Sequence, residues 1–323
     1  MVSICTLLAR KWDIADIVHR LSLQTYTDLE WVVIDFFYEE NLESFATVAK
    51  HFGVKLVHRP NARNGAVYMR DIARNRNEAL VHASGDIIVF LDDYTAVDNN
   101  FIENHVNLVK RNNISCGYMY YFRGSRKLVM TDGDGMPTKL EHLRRQIGPD
   151  YDHDSREKVF LDNGCIPDTP LTVLGPEWTY TGNLAFFMDV AEKLNGFDPR
   201  LSARGEDGDF GLRAHALGIP IMFNPNAASI NLSTDGILCK SMFDHDHPVD
   251  YFLKNDALVA NDPEVVRADG YYVVKKYGTE FVICTKCSAE FMLNPAKFIY
   301  RKLRNEEFVI DKKLFNPEKW RTK

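Results

Sequence analysis

Hydrophobic positions along the first 120 residues switch between two periods. Residues 3–8 form a short apolar run of strand character, and Ile14, Ile17, Val18 and Leu21 then recur at spacings of three and four, which predicts a helix over 15–23. Residues 30–35 read Glu-Trp-Val-Val-Ile-Asp, continuous and β-branched, as strands buried on both faces are. Residues 42–52 are helical and stop at Gly53, 54–58 are a strand, and about 70–83 are a helix. Residues 86–91 are a fourth strand that runs straight into Asp92-Asp93. The series β-α-β-α-β-α-β predicts an α/β fold with a doubly wound, mostly parallel sheet. Ligands of such sheets bind beyond the carboxyl ends of the strands. Asp35 and Asp92-Asp93 stand at two of those ends and are expected to face one crevice.

Farther along, the pattern predicts a helix near 99–111 and a strand near 116–122. Residues 123–177 are rich in Asp, Gly, Pro and Arg and show no clear period, so functional loops are expected there. Order returns at Trp178, with a strand over 184–188, a short helix over 190–194, a helix over 206–217 capped by Gly218, and a strand over 219–223. The chain divides into a first half (1–115), a second half (116–235) and an extension (236–323) without internal repeats.

Composition narrows the class. The 323 residues are 45% hydrophobic and 12% aromatic, with 19 Gly and 13 Pro, which excludes collagen-like, low-complexity and solvating-tail chains. The net charge of −6 is unevenly placed: 262–323 carries a balance of +4 and the remainder −10. An acidic body argues against a broad grip on duplex nucleic acid. The longest apolar runs, 87–91 and 184–188, fall far short of the ~20 residues that cross a bilayer. The opening residues lack a basic leader, and six cysteines are too few for a disulfide scaffold, so a cytoplasmic protein is expected. The sequons at Asn113 and Asn231 are then without consequence.

Three constellations carry chemistry. Asp92 and Asp93 offer hard oxygen ligands off a buried strand, suited to Mg²⁺ or Mn²⁺, which in turn hold a diphosphate; a plain turn or helix cap is the competing reading. In Gly205-Glu206-Asp207-Gly208-Asp209, three carboxylates crowd the first turn of a helix, more than the helix dipole calls for. A carboxylate held there serves as a general base. Trp178 and Tyr180, ahead of Gly182-Asn183, offer flat faces on which a sugar ring stacks, or else pack the core.

Taken in order, these pieces resemble the GT-A glycosyltransferases, above all the large inverting family 2. Asp35 resembles the acidic residue that meets the nucleoside. Arg76-Asn77, Ala79-Leu80, Ala83-Ser84-Gly85-Asp86 and Phe90-Leu91-Asp92-Asp93 look like the helix, strand and DxD run. Asn183, Gly196-Phe197-Asp198 and Gly205-Glu206-Asp207-Gly208-Asp209 look like the acceptor-side block with its Glu-Asp motif. The resemblance spans roughly residues 2–230 and implies a Rossmann-like GT-A domain with an acceptor-side subdomain. It implies a nucleotide-sugar donor, a UDP-sugar first, bound by Asp35, Arg76, Asp92 and Asp93, with Mn²⁺ or Mg²⁺ on Asp93. It also implies a glycan or other hydroxyl acceptor met by Trp178, Tyr180, Asn183 and Asp209, with Asp207 as base and Glu206 orienting the acceptor. Two departures stand out: Tyr94 occupies the second Asp position of DxD, and Phe36-Phe37 follow Asp35 where a polar turn is usual.

Weaker signals complete the picture. His245 or His247 could close over the metal, as a late His does in some GT-A enzymes, or lie in a solvated loop. Cys284 and Cys287 have zinc-knuckle spacing, with Cys239 and the two histidines as conceivable partners, but buried inert thiols are the simpler reading. Lys297, Arg301, Lys302 and Arg304 form a basic helix face suited to a diphosphate, a polyanionic acceptor or peripheral contact with an anionic membrane, and equally to solvation. A sugar-phosphate nucleotidyltransferase would open with a Gly-rich loop, and Ala9-Arg10-Lys11-Trp12 has no glycine. A binding module that kept the fold would be expected to lose Asp93, Glu206 or Asp207, and all three are present.

Overall fold

Uninterrupted β-branched and aromatic runs become the central strands. The computed structural model describes residues 1–9, 14–61, 72–122, 128–148, 154, 178–198 and 206–232, and the backbone of 151–152, 271–276, 279–284 and 290–292. In chain order these hold β1 (Val2–Leu8), α1 (Ile14–Ser22), β2 (Leu29–Asp35), α2 (Tyr38–Phe52), β3 (Leu56–Pro60), α3 (Ile72–His82), β4 (Ile87–Leu91) and β5 (Thr95–Val97). They continue with α4 (Phe101–Leu108), β6 (Ile114–Phe122), α5 (Leu140–Ile147), β7 (Tyr151–Asp152), β8 (Asn183–Phe187), α6 (Met188–Leu194), α7 (Glu206–Ala216) and β9 (Ile221–Asn231). No helix among the described residues is long and apolar enough to cross a membrane.

These nine strands form one sheet in the order β3-β2-β1-β4-β8-β6-β9-β5, with β7 paired to β6. β1 pairs in parallel with β2 and with β4, and β6 with β9, while β8 lies antiparallel between β4 and β6. The chain winds outward from β1 to β3 and then returns past β1 to β4. This reversal opens a crevice at the carboxyl ends of β1 and β4, where Leu8-Ala9 and Leu91-Asp92 lie. Side-chain alternation divides the core into two layers. Val32, Ile34, Ile88 and Phe90 pack against Ala73 and Leu80 of α3, Val190 of α6 and Phe210 of α7. Trp31, Val33, Val89 and Leu91 pack on the other face with Ile17 of α1, Phe45 of α2 and Phe101 of α4. The expected α/β architecture is present, and one sheet runs through both expected halves.

The differences from the sequence expectations have local causes. α2 begins at Tyr38, four residues early, and ends as expected at Gly53, whose φ of 69° suits glycine. β9 runs on through Asn224-Pro225-Asn226, which reads as a turn; the register between β6 and β9 shifts there, so proline's missing N–H breaks no regular ladder. α5 lies inside the stretch expected to be loop, and its Leu140, Leu143 and Ile147 close a small core with Phe122 and Ile230. Separately, β10 (Tyr271–Lys276), β11 (Thr279–Cys284) and β12 (Glu290–Met292) form an antiparallel sheet in a region where no strand was expected.

A polar cluster ties the middle of the large sheet together. Asn183 is fully buried, and its amide donates to Tyr118 O at 3.1 Å, Ala227 O at 2.9 Å and Ser229 Oγ at 2.9 Å. Its carbonyl meets His105 Nε2 at 2.8 Å, and His105 Nδ1 meets Ser115 Oγ at 3.0 Å. Burial pushes the His105 pKa down to about 4, so the ring is neutral; Asn183 Oδ1 can only accept, which places its one proton on Nε2. Gly117 makes room for this cluster, because a Cβ there would overlap the Asn183 amide and the Ala227 carbonyl. Asn183→Ala strands several buried polar groups and is expected to cost about 2–4 kcal/mol. Urea denaturation would show this as a lower midpoint at unchanged slope.

Candidate active site

The crevice floor is assembled from three separate segments. α3 presents Arg76, α7 opens with Glu206-Asp207, and Asp92 follows β4. Arg76 and Glu206 are both nearly enclosed and form an ion pair between Arg76 Nη1 and Glu206 Oε1. Burial works against the Arg76 charge, and the Glu206, Asp207 and Asp92 carboxylates outweigh it and hold its pKa above the usual arginine value. These four charged groups therefore share one site. Glu206 Oε2 is buried without a hydrogen-bond partner among the described residues. Asp207, partly exposed, takes the Gly208 N–H on Oδ1 at 2.8 Å. Burial, then the Glu206 charge, push its pKa up to about 7 against the opposing pull of Arg76.

The turn before β8 forms the adjoining wall. Thr179 is buried and donates its hydroxyl to the Asp207 carbonyl at 2.5 Å, so the turn and the start of α7 move as one. Gly182 lies against Asp92: a Cβ there would come within 2.8 Å of Asp92 Oδ2 and 2.6 Å of the Met119 methyl. Trp178 and Tyr180 are partly exposed, edge to face with centroids 6.0 Å apart. Trp178 also packs against the main core.

The adjacent pair Asp92-Asp93 separates. Asp92 is partly exposed, with Oδ2 accepting the Tyr94 hydroxyl at 2.8 Å. Asp93 is fully enclosed and accepts the Ala9 N–H on Oδ2 at 2.9 Å, bridging the ends of β4 and β1. Phe90 belongs to the α3–α7 layer and Leu91 to the opposite one; β4 ends there, and the chain then turns, which leaves Asp92 toward Arg76 and Asp93 against β1. Asp35 is also enclosed. Its Oδ1 accepts the Phe37 N–H at 2.6 Å, and its Oδ2 meets Asn41 Nδ2 and His58 Nε2, each at 2.9 Å. For Mn²⁺ or Mg²⁺, Asp92 is the oxygen ligand this geometry offers, and the cation's other positions would fall to phosphate and water. Asp93, expected as the ligand, is turned into the fold. Among the described residues no three His, Cys, Asp or Glu come together as a cage.

Arg76, Asp92, Glu206 and Asp207 are thus brought together, with Trp178 and Tyr180 at the wall. Two residues expected on the acceptor side are corrected. Asn183 is consumed by the sheet cluster, and buried Asp209 pairs with Arg213, its Oδ2 taking Arg213 Nε at 2.8 Å. Both side chains are buried away from the crevice wall formed by Trp178 and Tyr180. His245, His247, Cys287 and the basic cluster at Lys297, Arg301, Lys302 and Arg304 lie outside the described residues, as does Cys239; Cys284 ends β11. The sequence reading missed His58, Thr179 and the role of Asn77. His58 alone had a signal, since strand alternation puts it on the same layer as Asp35.

Residues 4–156 match the family model described as glycosyl transferase family 2. The strands from β1 to β6 and the Asp92 end of β4 fall within that match, and the mixed α/β sheet has the winding of a GT-A, Rossmann-like fold. Among solved structures, the chain is similar to S. aureus TarS 1–349 in complex with UDP, at 14% identity and a TM-score of 0.47, covering 78% of this chain and 62% of that one. It is similar to the mannosyltransferase PcManGT from Pyrobaculum calidifontis in complex with GDP-Man and Mn²⁺, at 15% identity and 0.46, covering 74% and 59%. S. aureus TarS matches at 13% and 0.45, over 72% of this chain and 36% of its own. The chain thus spans less than two thirds of the length of these three. No curated protein matches it.

The raised Asp207 pKa has a consequence for stability. The folded state holds this proton more tightly than the unfolded chain, whose value is near 3.8. Its contribution is present in full below that value and is lost as pH rises through about 7. Asp207→Asn is therefore expected to gain on the wild type between pH 5 and pH 8 in urea denaturation. A stability difference flat across that range would contradict the shift.

Proposed function

We propose that the protein transfers a sugar from a nucleotide-sugar, a UDP-sugar first, to an acceptor hydroxyl by direct displacement with inversion. The observation that supports this most is the convergence of Asp207, Glu206, Arg76 and Asp92 at the carboxyl edge of a family 2 sheet. The donor lies across the ends of β1, β2 and β4. Asp35 and its Asn41–His58 cradle shape the nucleoside end, and Asp93 holds the β1–β4 floor by bonding Ala9. The enclosed Asp35 carboxylate acts there by fixing the turn at Phe36-Phe37. Asp92 is the residue that would hold a divalent cation, which when bound neutralises the departing diphosphate. Trp178 and Tyr180 offer apolar faces to the acceptor ring, and Glu206 Oε2 is left to accept a hydrogen bond from it. Asp207 takes the proton of the attacking hydroxyl. A carboxylate with a pKa near 7 is far better matched to that task than an ordinary aspartate.

The purified protein, screened against UDP-, GDP- and other nucleotide-sugars with and without Mn²⁺, is expected to show donor hydrolysis or a thermal shift with one of them. A protein indifferent to every nucleotide would overturn the proposal. With the donor identified, Asp207→Asn is expected to lower transfer by a factor of roughly 10³. Wild-type kcat/KM should fall on the acid side with an apparent pKa near 7. Transfer by Asp207→Asn within a few-fold of wild type would remove Asp207 as the base.

A further inference from the structure

Sequence order puts Arg76 on the nucleotide side, at the middle of a helix between two donor-half strands. The structure gives its guanidinium a different partner. It ion-pairs with Glu206, 130 residues away, and both side chains are nearly enclosed. Its charged carbon also lies 5.5 Å from the centroid of the Phe197 ring. The next residue grips the same place: Asn77 Nδ2 donates to Phe197 O at 2.8 Å, and the Phe197 N–H donates to Asn77 Oδ1 at 2.8 Å. Phe197 itself is wedged edge-on against Phe90 of β4 and stacked on Phe210 of α7, at 5.4 Å and 4.6 Å between centroids. Two consecutive side chains of α3 therefore clamp the segment that leads into α7, one through its backbone and one through its first carboxylate.

We infer that Arg76 is a positioning residue for the Glu206-Asp207 pair and not a donor-binding group. The inference rests on the proposed sugar transfer. An arginine committed to Glu206 Oε1 fixes that carboxylate's plane, so that Oε2 stays aimed at a single place. It also anchors the start of α7, where Asp207 lies one residue on. A free Glu206 would swing, and a displaced Asp207 would lose the short reach to the acceptor hydroxyl on which proton transfer depends. Among the described residues, the groups that face Arg76 are Glu206 and Asp207 from α7, Asp92 from the end of β4, and the Phe197 ring, and the three carboxylates favour a basic residue here.

The test compares Arg76→Lys, Arg76→Met and Asp207→Asn with wild type, once a donor is known. Steady-state transfer is measured together with calorimetric binding of the corresponding nucleoside diphosphate. Arg76→Met is expected to lower kcat roughly 100-fold while the nucleotide Kd stays within about 3-fold, and Arg76→Lys, which keeps the charge, is expected to recover most of kcat. In the Glu206→Gln background, Arg76→Met should cost much less than in wild type, since the pair acts as a unit. Arg76→Met with kcat intact and nucleotide binding weakened in step with kcat/KM would overturn the inference. Additive losses in the double variant would do the same. If Arg76→Met does not fold, as its thermal melt would show, Arg76→Lys and Glu206→Gln decide: loss of nucleotide affinity with kcat preserved in Arg76→Lys overturns it. Asp207→Asn separates the two levels. Wild-type protein that transfers no sugar defeats the sugar-transfer reading; full transfer by Asp207→Asn removes Asp207 as the base and with it the pair that Arg76 is said to position; and an inactive Asp207→Asn beside a donor-binding defect at Arg76 defeats the positioning role alone.

Discussion

A buried cation organises the crevice. Three carboxylates, Asp92 after β4 and the adjacent Glu206 and Asp207 of α7, come from two segments far apart in the chain, and their mutual repulsion in a partly dry site would drive them apart. Arg76 opposes that repulsion from the middle of α3, with its charge held by the same carboxylates it holds. A desolvated guanidinium without them would be costly, as would Glu206 without the guanidinium. The site is therefore stable as a unit and unstable in parts. Among the described residues the compensation is incomplete: burial and then the Glu206 charge outweigh Arg76 and leave Asp207 reluctant to ionise. An aspartate of raised pKa supplies the basicity that the proposed proton abstraction calls for.

The scaffold reaches this arrangement by spending polar side chains inside the sheet. Asn183 joins β6, β8 and β9 and, by fixing the first residue of β8, fixes the turn just before it. That turn carries Thr179, which holds the Asp207 carbonyl, and Gly182, which lies against Asp92. The neutral His105 backs Asn183 from α4. A line of buried polar contacts thus runs from the sheet interior to the catalytic edge, and the lone aspartates and asparagines of that region divide between supporting this line and facing the crevice.

Residues visible as motifs divide in the same way. Asp93 and Asp35 are both strand-end aspartates, and both are enclosed, one bridging β4 to β1 and the other gathering Phe37, Asn41 and His58. Asp209 stands in a run of acidic residues that reads as one constellation. One helical turn separates it from Arg213, and on α7 that spacing makes it an ion pair beneath the site. The spacing was visible in the sequence, but nothing local ranks the pair above a catalytic use for the acid. α5 was equally visible as Leu140, Leu143 and Ile147, and it passed unread because eight residues among glycines and charges carry little periodic weight.

The amino-acid sequence by itself determined the alternation of strands and helices from β1 to β4, the winding of that part of the sheet, and the acidic residues that end its strands. Each follows from properties that act over a few residues: apolar period, capping glycines, and the residue types that end a strand. Tertiary structure alone decided which acids border the crevice and which are enclosed in the fold. Adjacent aspartates past a strand part ways, and which of them borders the crevice depends on how the chain turns there. Arg76 meets Glu206 across 130 residues, and Asn183 of β8 meets backbone from two other strands, β6 and β9. Such partners are set by packing and desolvation over the whole fold, and no local pattern encodes them.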